Sequence, residues 1–265
     1  MNIFVHEIKS NLKALIFWCV GMALMATVGM SKYAGAEGNM ESFKEIINKI
    51  PKALLAFFGM TGLDITTAVG YFGVVFTFLL VMAGIHAVML GANIIAKEER
   101  DKTSEFLLAK PVSRSAIITY KLLAIVVNII IVNLITTISS VGIVSSYAES
   151  NQYNSQVLLL MVGLLIFQLI FLFLGTAVSA VKHRPKTSAS TAAMILFSTY
   201  ILSVLVDVSG EIDFLSYLTP FKYTSAKYIL ENQRLDPFCM MLSFIIIVAS
   251  IIVTYCFYKR RDMVV

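Results

Sequence analysis

Glu98 and Glu99 are adjacent carboxylates at the end of a long apolar run, and His86 lies inside the same run. A carboxylate pair beside apolar helices can hold a metal and activate water, as the Glu-Glu-x-x-x-Arg signature of some membrane metalloproteases does. Here position 103 is Thr103 where that signature needs Arg, and no other run supplies matching His ligands, so the pair reads as a solvated helix end. Nucleotide chemistry fails on similar grounds. No Gly-x-x-x-x-Gly-Lys-Ser/Thr loop exists, and no strand precedes a glycine pair, so ATP and Mg would have to be bound by a partner. His6, His86 and His183 do not make a haem or metal set. Cys19, Cys239 and Cys256 lie in or at the edge of apolar segments without Cys-x-x-Cys spacing, and read as small core residues. The chain is expected to be no enzyme and to carry no cofactor of its own.

His86 remains the one ionisable group well inside an apolar run, between Met82 and Met89. Two readings stay open for it: a neutral imidazole hydrogen-bonded to a neighbouring helix, or a member of a transport pathway. Asn128 and Asn133 in one run and Gln168 in the next invite the same two readings, because side-chain amides either join helices or line cavities.

The elements that must position these groups follow from composition. Of 265 residues, 58% are hydrophobic and 14% charged, against roughly a quarter charged in soluble domains. Lipid must therefore be part of the solvent. Apolar runs near 14–31, 68–96, 117–145, 157–181, 189–206 and 239–257 are long enough to cross about 30 Å of hydrocarbon. They are continuously apolar rather than alternating, which makes them helices and the chain a single all-α membrane domain with six spans. Fourteen Lys and Arg fall on the side that holds both termini, and seven on the other, over longer loops. The denser side is expected to be cytoplasmic and the membrane the plasma membrane. The net charge of +5 is explained by this rule, and no nucleic-acid partner is expected. Ala34-Gly35-Ala36 resembles a cleavage site, yet the first run is expected to remain as an anchor.

Four other segments have their own character. Phe4, Ile8 and Leu12 recur every four residues among polar neighbours, which predicts an amphipathic elbow helix over 1–13 in the inner interface. Phe43, Ile46, Ile47 and Ile50 predict a second amphipathic helix in the outer loop, followed at Pro51 by the apolar stretch Ala53–Met60. Residues 97–110 continue the second span as a charged helix, with Pro111 ending it and Ser113 placed to cap the third span. Residues 210–237 are split by Pro220 into two helices too short to cross, a broken hairpin at the outer leaflet. Gly175-x-x-x-Ser179 and Ala189-x-x-x-Ala193 allow close helix contact without specifying its partner.

The third of these segments carries a resemblance. Glu98, Thr103, Glu105, Leu107, Leu108 and the run Pro111-Val112-Ser113-Arg114 resemble the first cytoplasmic loop of the ABC type-2 exporter permeases. The likeness extends over the whole chain in the order of its parts: elbow, six spans, this loop, and a broken outer hairpin containing Tyr217-Leu-Thr-Pro-Phe-Lys-Tyr223. It implies that the loop is a coupling helix in a cleft of a cytoplasmic ATPase. The residues agree, since Phe106, Leu107 and Leu108 form an apolar knob and Glu98, Glu99, Arg100 and Glu105 could set register by charge. It further implies a dimer of permeases, a homodimer rather than a heterodimer, that exports a hydrophobic or amphipathic peptide, toxin or antibiotic. An ion-coupled carrier and a membrane immunity protein are the competing readings. The carrier would need paired mid-bilayer charges and inverted repeats, neither of which is found; the immunity protein would not need the coupling helix.

Overall fold

The computed structural model describes residues 3–36, 47, 49–100, 113–147, 152–182, 185–210 and 213–260. In chain order the helices are α1 (Ile3–Ala36), α2 (Lys52–Phe57), α3 (Ala68–Arg100), α4 (Arg114–Ser145), α5 (Gln152–Val181), α6 (Pro185–Ser209), α7 (Pro220–Tyr223), α8 (Ala226–Asn232) and α9 (Pro237–Arg260), with a 3-10 helix at Asp213–Leu218. Among the described residues there is no strand, and α1, α3, α4, α5, α6 and α9 are long and apolar enough to cross a membrane. Each contains one of the six expected spans and extends beyond it, because a helix satisfies its backbone whether the flanking turns sit in lipid, headgroups or water.

The expected elbow is not a helix apart. α1 runs unbroken for 34 residues, about 51 Å at 1.5 Å per residue, with neither Pro nor Gly before Gly21 to turn the chain. Its inward face also differs from the expected stripe. Ile3 and Glu7 are buried, Phe4 and Ile8 are half-buried, and Leu12 is exposed. The outer amphipathic segment lies mostly outside the described residues, but Pro51 opens α2 as expected. Ser113 caps α4, its hydroxyl accepting from Ala116 N–H at 3.2 Å. The outer hairpin has three pieces rather than two, since Thr224 and Ser225 interrupt it again after the one-turn α7. Cys19 and Cys239 are buried, whereas Cys256 is exposed on α9; one face of that helix has no neighbour among the described residues to cover it.

α3 and α5 form the centre, with 61% of their most apolar window buried against 22% for α6 and α9. Their contact depends on two glycines. A Cβ on Gly91 would stand 2.1 Å from the Leu172 carbonyl oxygen, and one on Gly175 would stand 2.5 Å from that of Val88. Neither carbonyl can retreat without breaking helix geometry, so the glycines set the closest approach of the two axes. Elsewhere on the two helices Phe72, Phe76, Leu79, Phe167 and Phe171 are wholly buried. Gly175, expected only as half of a small-residue pair, is thus committed within the chain.

Gly91→Val and Gly175→Val are each expected to abolish the monodisperse species on size exclusion in mild detergent. Gly142→Ala, where an added Cβ meets nothing within 4 Å, is expected to be neutral or to stabilise by up to about 1 kcal/mol. Equal behaviour of the three variants would show that the crossing tolerates separation.

Candidate functional site at the basic end

The start of α1, the end of α3 and the start of α4 meet at the end of the bundle where basic residues concentrate. Glu7 is buried, and its carboxylate accepts from Lys97 Nζ of α3; the same ammonium approaches Ser10 Oγ at 3.3 Å. Lys121, in the second turn of α4, is fully buried and donates to the Ile94 carbonyl of α3 at 2.8 Å. A buried charge is tolerable only where polar partners replace its water, so the buried Lys121 ammonium and the buried Glu7 carboxylate, with its half-buried Lys97 partner, fix the rotation of their helices as well as the separation. Arg114 Nη1 donates to the Lys259 carbonyl of α9 at 3.3 Å, and Thr119 and Tyr255 hydroxyls lie 2.7 Å apart. α1, α3, α4 and α9 are therefore tied together at this end by polar contacts.

The clamp flanks the segment to which the coupling residues were assigned. Thr103, Glu105, Phe106, Leu107 and Leu108 lie outside the described residues, and of Glu98 only the backbone, in the last turn of α3, is described. Glu99 is half-buried there. Arg100 is exposed and donates back along its helix to Asn93 Oδ1 at 3.3 Å.

Deeper in the bundle the four intramembrane candidates separate into two pairs. His86 and Asn128 line one cavity of about 200 Å³ between α1, α3 and α4, together with Asn11, Trp18 and Asn93. The indole of Trp18 lies over the His86 imidazole with ring centres 5.0 Å apart, and His86 Nδ1 is buried with no hydrogen-bond partner among the described residues. Asn133 and Gln168 face each other elsewhere, joining α4 to α5: Asn133 Nδ2 donates to the Met161 carbonyl at 3.2 Å and approaches Gln168 Oε1 at 3.4 Å. Of the two readings left open for amides, Asn133 and Gln168 have the geometry of a helix-joining pair. Asn128 has the cavity-lining geometry: its Nδ2 donates to the Ala124 carbonyl one turn back on its own helix, and the side chain faces the cavity.

The opposite end is closed by the Tyr217–Tyr223 run. Thr219 Oγ1 donates to the Thr199 carbonyl at 2.8 Å, Lys222 pairs with Asp207, and the Tyr223 hydroxyl donates to the Tyr217 carbonyl. Burial raises the Tyr223 phenol above its ordinary pKa, with the neighbouring Cys239 adding to the effect, so it stays a donor. Phe221 inserts between Phe167 and Tyr200 at ring-centre distances of 4.7 and 5.1 Å. Pro220 at the first position of α7 gives this short plug its direction.

The family profile described as ABC-2 family transporter protein matches residues 1–263. The chain belongs to the ABC-2 transporter family. It is accordingly a multi-pass permease subunit of an ABC transporter, a transmembrane component that is not itself the ATPase, and its partners are an ABC ATPase and the lipid bilayer. No individual curated protein matches this ABC-2 permease. Reading the sequence alone missed Glu7, Lys97 and Lys121 as structural groups, because basic residues near span ends were counted for orientation only. Their signal was available in one respect: Glu7 is an acid among the basic residues before the first span, and an isolated acid there needs a cation.

Lys97→Met leaves Glu7 buried without its partner and is expected to lower the unfolding free energy in mixed micelles by about 2–4 kcal/mol. The double variant Glu7→Leu, Lys97→Met is expected to recover at least half of that loss. Additive losses in the double variant would mean that the two residues do not act as a pair.

Proposed function

We propose that this permease is the membrane half of an exporter, driven by ATP and Mg bound in the partner ATPase, that carries a hydrophobic or amphipathic peptide, toxin or antibiotic out across the plasma membrane. In this reading the basic end and both termini are cytoplasmic. Residues Glu98, Glu99, Arg100, Thr103, Glu105, Phe106, Leu107 and Leu108 meet the ATPase, and a second copy of this chain completes the pathway.

The observation that carries the reading is the clamp around residues 97–121. α3 and α4, which enter and leave the coupling segment, are fixed to one another by Lys121 and to α1 by Lys97. A push on that segment cannot be absorbed by rotation of one helix and is passed to three together. The need for a second copy has physical support as well. Three cavities lined by described residues hold about 110, 200 and 320 Å³, and none of the three would pass an amphipathic peptide by itself.

The test is co-purification and coupled transport. The ATPase from the native membrane is expected to co-purify with the wild-type chain, and proteoliposomes of the complex are expected to hydrolyse ATP faster when an amphipathic cationic peptide is added. Arg100→Glu with Phe106→Ala is expected to lose the ATPase or to lose peptide stimulation by about tenfold, a coupling near 1.4 kcal/mol. Retention of both by the variant would overturn the coupling assignment, and peptide transport without any ATPase would favour the carrier reading.

A further inference from the structure

The cavity between α1, α3 and α4 is unusual in what it leaves open. Three of its amides already use one end of their side chain: Asn11 Nδ2 donates to the Glu7 carbonyl at 3.0 Å, Asn128 Nδ2 to the Ala124 carbonyl at 2.9 Å, and Asn93 Oδ1 accepts from Arg100 at 3.3 Å. What remains for a guest is a side-chain carbonyl from Asn11, another from Asn128, the amino group of Asn93, and His86 with its unpartnered Nδ1. Among the described residues no charged side chain lines the cavity. Ala14 and Met89 line it and are exposed at the surface, so it opens sideways between α1 and α3. Asn93 stands seven residues before the end of α3, about 10 Å along the axis, which sets the cavity below the clamp and within the apolar stretch.

A group entering from lipid must bring hydrogen bonds of both kinds. A carboxylate would meet two carbonyls and few donors. An ammonium would find acceptors but no counter-charge among the described residues, and a charge at that depth is costly to desolvate. A carboxamide matches, because its N–H groups can donate to the Asn11 and Asn128 carbonyls while its C=O accepts from the Asn93 amino group. Its hydrocarbon chain can leave past Ala14 and Met89. Trp18 and Leu15 supply an apolar wall.

We infer that this cavity is a binding site for a neutral carboxamide head on an apolar chain, a peptide-like amide included, with Asn11, His86, Asn93 and Asn128 as its recognition groups. The site deepens the cargo class proposed above and depends on that reading only for its use in transport.

Trp18 is the one tryptophan of the chain and lines the site, so its emission reports occupancy without a label. The full-length chain in nanodiscs is titrated with dodecanamide, dodecylamine and dodecanoate. A saturable shift of Trp18 emission is expected with dodecanamide, at a concentration about tenfold or more below that needed for the amine or the acid. Asn128→Leu and His86→Leu are each expected to raise that concentration by about tenfold, and His86→Asn, which keeps a hydrogen-bonding group, to raise it less. A photoreactive diazirine analogue of dodecanamide is expected to crosslink to α1 or α3 next to this cavity. An unsaturable response, or one equal for the three headgroups, would overturn the site; the wild-type series decides this even if a variant does not fold. If amide binding fails while ATP-driven export persists, this inference falls alone. If binding holds and export fails, the transport reading falls and the site stands.

Discussion

Hydrocarbon offers no hydrogen bonds, so each polar atom carried into the bundle must find its partner within the chain or keep its bond to a helix backbone, and most of the internal order of this permease follows from that shortage. Small polar side chains meet it locally. Thr136, Ser243 and Thr254 donate to carbonyls one turn back, to Val132, Cys239 and Ser250, and so add nothing unsatisfied to the core. Asn11 and Asn128 do the same with their amino groups, while other large side chains cross between helices: Asn133 to α5, Lys121 to α3, Lys97 to α1. These crossings are few, which is why each one fixes a helix pair.

The same shortage separates the two ends. At one end charged side chains are long enough to reach a neighbouring helix and be satisfied there, and the result is a clamp of ammonium groups. At the other, Thr219, Phe221 and Tyr223 close the bundle with hydroxyls and aromatic rings, and the ion pair of Lys222 with Asp207 is partly open to solvent. Between them the Gly91–Gly175 crossing holds α3 and α5 too close for sliding. The spacing of the two central helices is therefore fixed by backbone contact rather than by side chains that could repack.

How much of this could be read from the residues depended on the range of the interaction. The six spans were legible because hydropathy is a property of the segment itself, and the Ser113 cap because it acts within one turn. Helix ends were drawn short, since charged first turns such as Lys9 and Lys13 break an apolar run without breaking a helix. Glu7 with Lys97 was not legible. The residues are ninety positions apart, and their meeting depends on the rotation of two helices set by glycines and aromatic rings elsewhere. The division of the amides was hidden for the same reason: Asn128 and Asn133 are neighbours on α4, but five residues put them on faces that meet different helices. Membership in the ABC-2 family was legible from the order of the parts, with Glu98 to Arg114 as the most specific of them.

One consequence lies in the length of α1. Its unbroken 34 residues reach about 51 Å, well beyond a hydrocarbon layer of about 30 Å, and Glu7 stands on the overhang. A thicker bilayer would draw the ion pair toward the acyl chains, while a thinner one would leave apolar turns in water or force the helix to tilt. The place of the Glu7–Lys97 contact along α1 thus ties it to the thickness of the surrounding bilayer.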